Sequence, residues 1–280
     1  MRIPDRLNSK WPRFRFIVAG AAVLAGVLLM PGRLWATLPD GVELRDMSWV
    51  EVRSAVAAGY TTVIVPSGGI EQNGPHMVLG KHDYIVSEAA RRIAKDVGRT
   101  LVAPVISYVP QGTYDPPTGN LQFPGTIGVP QGVFEGVLDG AARSLKLAGF
   151  KTICFIGDHG ESQPGQAAVA KRLTAEWAKD GVRVLQVAGY YDDAPQVARL
   201  EAEGHSKTEI GRHASLIDTS ELLSVDPKGV NLTEAGRHWT LEPTGVIGDP
   251  SQASANLGAQ LLAMRINAAV AEIKQAVATH

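Results

Sequence analysis

The chain is poor in the features that announce several common protein classes. Among 280 residues there is one cysteine, Cys154. It cannot close an internal disulfide, and no zinc or iron–sulfur site can be built on cysteines. Formal net charge is -1, with 27 basic against 28 acidic residues. That balance gives no global basic field to attract nucleic acid. No Gly-x-Ser-x-Gly elbow occurs, and the glycine-rich stretches lack a phosphate-binding Lys-Ser/Thr. Internal repeats, low-complexity tracts and long linkers are also missing. Hydrophobic residues at 45% and charged residues at 20% describe a folded domain. A functional site in it has to come from histidine, aspartate and glutamate.

The N-terminal segment reads differently from the rest. Arg2, Arg6, Lys10, Arg13 and Arg15 face a single acid, Asp5, before an unbroken apolar run from Phe16 to Met30 that ends at Pro31-Gly32. A basic region followed by such a run is the pattern of an export signal. The run is shorter than the roughly 20 residues that comfortably span a bilayer. Leu34-Trp35-Ala36 offers a cleavage site with a bulky first residue, and an uncleaved anchor over residues 16–30 is the alternative. No cysteine follows the run, which excludes a lipid-modified N-terminus. Residues 1–36 are therefore expected to be an export signal or signal anchor, residues 37–280 the functional domain, and the location periplasmic.

From about residue 40, helical and strand patterns alternate. Helices are expected at 48–58, 83–97, 131–148, 166–179 and 254–277. Strands are expected at 61–65, 101–105, 152–156 and 182–187, where β-branched and apolar residues run together. A loop over 110–130 carries five prolines and four glycines. Repeated strand–helix–strand order implies a mostly parallel sheet with helices on both faces, in one domain.

In such sheets the functional loops leave the carboxyl ends of the strands. Two of those loops are dense in ligand-type residues: Glu71-Gln72-Asn73-Gly74-Pro75-His76 with Lys81-His82-Asp83, and Asp158-His159-Gly160-Glu161. Residues two apart in an extended stretch share a side, so Glu71 with Asn73, and His159 with Glu161, are each expected to converge. Imidazole plus carboxylate suits zinc, manganese or iron. Helix capping or a solvated loop explains any one of these residues equally well.

The segment Pro66-Ser67-Gly68-Gly69-Ile70-Glu71-Gln72-Asn73-Gly74-Pro75-His76 resembles the Gly-Ser-x-Glu-Gln-His-Gly-Pro-His motif of the creatininase family of metal-dependent amidohydrolases. Phe123-Pro124-Gly125-Thr126 and the run from His213 to Ser220 resemble two further motifs of that family, in the same order. The resemblance spans roughly residues 42–260. It implies a three-layer α/β/α sandwich, a metal pair in the strand-end loops, and a homo-oligomer, often a hexamer. Carried over by position, the family's metal ligands fall on Glu71, His159 and Glu161. Its ligand histidine is here Asn73, and its metal-bridging aspartate is here His82.

An imidazole offers one lone pair to one metal, whereas a carboxylate can bridge two. The expected site therefore holds one firm divalent ion, zinc first and manganese second, on Glu71, His82 and His159. One or two ions per chain stay open, with Asp83 able to restore the bridge if the loop shifts. A three-ligand site leaves room for water, whose acidity the ion raises. Glu161 is then expected as general base, His213 as proton carrier to the departing nitrogen, and Asp218 as the residue that orients His213. Leu216 and Gly160 depart from the family pattern, and Gly160 makes creatinine a poor substrate. Tyr108 and Tyr114 are expected to wall the pocket, and His76 to fix its loop. His205, His238 and Asp192-Asp193 are candidates for its rim. The expected reaction is cleavage of a C–N bond in a small cyclic or linear amide. The alternatives are a lactone, ester or small-peptide hydrolase, and a non-catalytic ligand- or metal-binding homologue.

Overall fold

The computed structural model describes residues 41–235 and 244–278. The expected export segment, residues 1–36, and His238 lie outside the described residues. The described residues form one compact unit. No helix among the described residues is long and apolar enough to cross a membrane.

Four strands, β1 (Thr62–Ser67), β2 (Thr100–Val102), β3 (Thr152–Gly157) and β4 (Arg183–Gln186), make a parallel sheet in the order β2-β1-β3-β4. The helices are α1 (Trp49–Ala57), α2 (Lys81–Val97), α3 (Gln131–Ala148), α4 (Ser162–Glu176), α5 (Ala188–Tyr191), α6 (Ala194–Ala202), α7 (Lys207–Ile210), α8 (Leu216–Val225), α9 (Leu232–Ala235) and α10 (Ala255–Ala278). Every residue of β1 and β3 is buried, as expected of central strands covered on both faces. Side chains alternate across the sheet. Ile64, Cys154 and Ile156 pack with Ile85, Ile93, Leu262 and Ile266 on one face, and Val63, Val65, Ile153 and Phe155 pack with Phe134, Leu138 and Leu173 on the other. The result is the expected three-layer arrangement.

Several helix starts differ from the sequence expectation. Helix α1 begins as expected, with Ser48 and Glu51 closing a capping box. Helix α4 begins at Ser162 rather than residue 166. Pro164 is the third helical residue, where its missing N–H would have no intrahelical partner anyway. Helix α2 begins at Lys81, so His82 sits inside its first turn instead of ahead of it.

The chain runs from β1 outward to β2 on one side, and from β3 outward to β4 on the other. The gap between the carboxyl ends of β1 and β3 is the topological switch point, where open α/β sheets place their ligands. The loops after Ser67 and Gly157 both open there, tied by a hydrogen bond from Asp158 N to the Ser67 carbonyl.

Candidate metal centre

Glu71, from the loop after β1, stands between two imidazoles. His82 Nε2 is 2.7 Å from its Oε1, and His159 Nε2 is 2.7 Å from its Oε2. One donor atom from each of the three residues lies within 4.8 Å of the others, and all three residues are buried. Asn120, from the short 3-10 turn Gly119–Gln122, also donates to Glu71 Oε2 at 2.6 Å.

Behind His82 stands a residue the sequence reading did not single out. Asp158 Oδ2 is 2.7 Å from His82 Nδ1, and its Oδ1 accepts from the Tyr190 hydroxyl at 2.9 Å and from Arg265 Nη2 at 2.6 Å. Arg265 also donates to Glu221 Oε2 and to the Tyr190 carbonyl. The only local clue to Asp158 is its place beside His159. Arg265 lies 107 residues further along the chain and gives no local clue at all.

Electrostatics follow from this packing. Burial and the Lys81 ammonium push the His82 pKa down, but Glu71 and Asp158 on either side outweigh them and hold it at about 9. Burial opposes the charge on Glu71, yet the two histidines keep its carboxyl well below the ordinary range. Asp158 is likewise held low against burial, by Arg265 and then His82.

The cluster fits a divalent cation. Two imidazole nitrogens and a carboxylate converge, and an acid behind His82 fixes the tautomer that presents Nε2. His159 Nδ1 has no hydrogen-bond partner among the described residues.

Other candidate residues fall in different places. Glu161 is exposed at the start of α4, outside the converging set, because residues 158–161 form a turn rather than an extended stretch. Asn73 turns its amide to the carbonyls of Glu71 and Val78, so it anchors the loop. Asp83 accepts from Gly69 N and from the Ser107 hydroxyl, away from the triangle. Tyr108 and Tyr114 do not line the pocket; Tyr114 is exposed and bonds the Gly128 carbonyl, and Tyr108 borders a separate apolar depression. Asp193 does line the pocket, together with Tyr191, Arg212 and Ile217. Half-buried His205 is not among its lining residues.

His213 borders the site from the segment before α8, with Nδ1 3.8 Å from Glu71 Oε1. Its Nε2 is 3.0 Å from the Gln72 carbonyl and 2.8 Å from Gln72 Nε2. The Gln72 amide hydrogens are already directed to Asn120 Oδ1 and the Gly245 carbonyl. His213 Nε2–H therefore donates to the Gln72 carbonyl, which leaves a lone pair on Nδ1 facing the site. Burial, then the Lys81 charge, lowers its pKa and keeps the ring neutral. Ala214 beside it has φ +51, a left-handed conformation unusual for alanine, and its N–H donates to Asp218 Oδ2 at 2.7 Å. Asp218 thus orients His213 through the backbone rather than through the ring.

His76 is buried and pairs with Thr219 of α8 at 3.0 Å, holding the loop after β1. Burial lowers its pKa to about 4. Between that value and the ordinary 6.5 the unfolded chain binds a proton that the folded chain refuses. Stability at this residue is complete above pH 6.5 and falls by about 3 kcal/mol as the pH drops to about 4. Urea midpoints across that window should fall less steeply for His76→Gln than for the wild type.

Residues 45–273 match the family model described as Creatininase: creatinine amidohydrolase. The chain belongs to the creatininase family. A creatinine amidohydrolase from Pseudomonas putida is 26% identical over 195 residues, covering 68% of this chain and 74% of that protein. A mycofactocin precursor peptide peptidase from Mycolicibacterium smegmatis is 26% identical over 228 residues, covering 76% and 84%. Two solved creatininases, a Mn form and a Zn-Zn type mutant, share the fold at TM-score 0.68 and 22% identity. They cover 84% and 85% of this chain, and it covers 98% of each of theirs.

Proposed function

We propose that this creatininase-family protein hydrolyses the C–N bond of a small polar amide, cyclic or linear, with one divalent ion held by Glu71, His82 and His159. The observation that carries the reading is that buried triangle beside the neutral His213. An ion bound there supplies Lewis acidity to the amide carbonyl and to water, zinc being the first candidate and manganese the second. The chain's own residues do the rest. Asp158 and Asn120 hold His82 and Glu71 in place. His213 accepts the proton of the attacking water at Nδ1 and passes it to the departing nitrogen, while Asp218 fixes the backbone beside it. Glu161, exposed and outside the triangle, is the less well-placed base.

Lys81, Asp193, Arg212 and Asp218 give the pocket a charged lining, which suits a small polar substrate. Gly160 leaves its side-chain space to the Tyr191 hydroxyl, 2.8 Å from where a Cβ would stand. That differs from the aromatic beside the substrate in creatininase itself and argues against creatinine. A short peptide is the second reading, favoured by the peptidase relative's similarity over 76% of this chain. A lactone or ester needs the same activated water.

The test is a hydrolysis screen of small amides, lactams and dipeptides on chelator-treated protein, with and without added zinc or manganese. Turnover should appear only with metal and disappear in Glu71→Gln. Metal-independent turnover would overturn the reading.

We further propose export to the periplasm through residues 1–36, supported by the basic and then apolar run. In intact cells of a Gram-negative host a C-terminal epitope should resist external protease, and it should be cut once the outer membrane is permeabilised. Resistance in spheroplasts would place the domain in the cytoplasm. Exposed Tyr108, Ile127, Val133 and Val137 around one apolar depression support self-association into a homo-oligomer.

A further inference from the structure

The pocket beside the triangle holds a buried charged group to which the reading above gives no part in the reaction. Lys81 opens α2, next to His82 in the chain, and its side chain is only 1% exposed. A lysine so deep is normally surrounded by acceptors, because an unpaired buried charge is unfavourable. Here Nζ lies 3.3 Å from Asp218 Oδ2 and 3.9 Å from Glu71 Oε1, yet it completes no hydrogen bond among the described residues. Lys81 lines the same pocket as His213 and Tyr191, with N–H bonds on its buried Nζ left unused.

The surroundings of that ammonium are those of a cation site. Glu71 and Asp218 supply carboxylate oxygens, and the His213 Nδ1 lone pair lies 3.8 Å from Glu71 Oε1. Two carboxylates and an imidazole would suit a second divalent ion if the ammonium were absent. A dication and an ammonium repel strongly at such short range in a buried site.

We propose that the Lys81 ammonium is the second cation of this site: it excludes a second divalent ion from the corner formed by Glu71, Asp218 and His213, and it donates its free N–H bonds to the carbonyl oxygen of the bound amide. The proposal rests on the metal reading of the triangle. Because the helix start fixes Lys81 in place, its charge needs no reorganisation when negative charge develops on that oxygen.

The test uses full-length protein stripped with chelator and titrated with zinc or manganese chloride by calorimetry, with bound metal then counted by mass spectrometry. The wild type should take one tight equivalent. Lys81→Met should keep that equivalent and gain a second, weaker one, and it should hydrolyse the screened amides about 100- to 1,000-fold more slowly. Lys81→Arg, which preserves the charge, should remain at one equivalent. Two equivalents in the wild type overturn the proposal. So does a single equivalent, or unchanged turnover, in Lys81→Met. No bound metal in the wild type defeats the reading of the triangle itself, a distinct result. If Lys81→Met fails to fold with Asp218 stranded, the wild type and Lys81→Arg decide alone, and two equivalents in either overturn the proposal.

Discussion

Arg265→Met should destabilise the domain by about 3–5 kcal/mol, the range for breaking a buried ion pair from one side. In a domain of this size that lowers the melting temperature by about 10 °C. The guanidinium bonds Asp158 at 2.6 Å, Glu221 at 2.7 Å and the Tyr190 carbonyl at 2.9 Å, and it lies over the Tyr190 ring. Methionine fills much of the same volume but leaves buried Glu221 without its counter-charge and Asp158 with His82 alone. Burial already raises the Glu221 pKa against the pull of Arg265, so that residue would take up a proton. Asp158 is more consequential, because it holds His82. Metal affinity should therefore fall roughly 10- to 100-fold in the same variant, as when the partner of a ligating histidine is lost. Thermal melts of metal-free protein measure the first effect, and zinc titrations of folded protein at low temperature measure the second. The half-exposed Arg143, paired with Asp139 and Glu176 at the surface, is the control, and its removal should change stability little.

His213→Ala should slow amide hydrolysis about 100- to 10,000-fold while metal content stays near that of the wild type. In the proposed reaction the proton goes to Nδ1, the ring nitrogen left free once Nε2–H is donated to the Gln72 carbonyl. Activated esters, whose leaving groups depart without a proton, should lose less than amides do. Glu161→Gln is the paired measurement. An exposed carboxylate outside the metal triangle should matter less than tenfold if His213 is the base, an expectation drawn from the usual size of general-base effects. The reverse ranking would return the base to Glu161 and leave His213 with the leaving group alone. Loss of metal in Glu161→Gln would make Glu161 a ligand, which requires the turn after β3 to close further on the site.

The sequence by itself determined the class of fold and the order of its parts. Runs such as Thr61 to Val65 and Thr152 to Ile156 are apolar and β-branched over the length of a strand, and strand pattern is a local property. Alternation with amphipathic helices then leaves few topologies open. The motif after β1 and the His159 loop after β3 marked the two strand ends where the buried triangle forms, because ligand-type residues concentrated there. Local spacing was a poorer guide to which way each side chain points. The expected pairing of His159 with Glu161 presumed extended backbone, and the chain turns there. Asn73 stands two residues from Glu71 yet bonds backward to the loop. Only the tertiary structure decided that Asp158 braces His82, that Arg265 braces Asp158 from α10, and that Lys81 turns its charge inward beside Asp218. These contacts join residues between 76 and 137 positions apart. Their geometry is set by how α2, α8 and α10 pack on one face of the sheet, and no periodicity in the chain reports that packing.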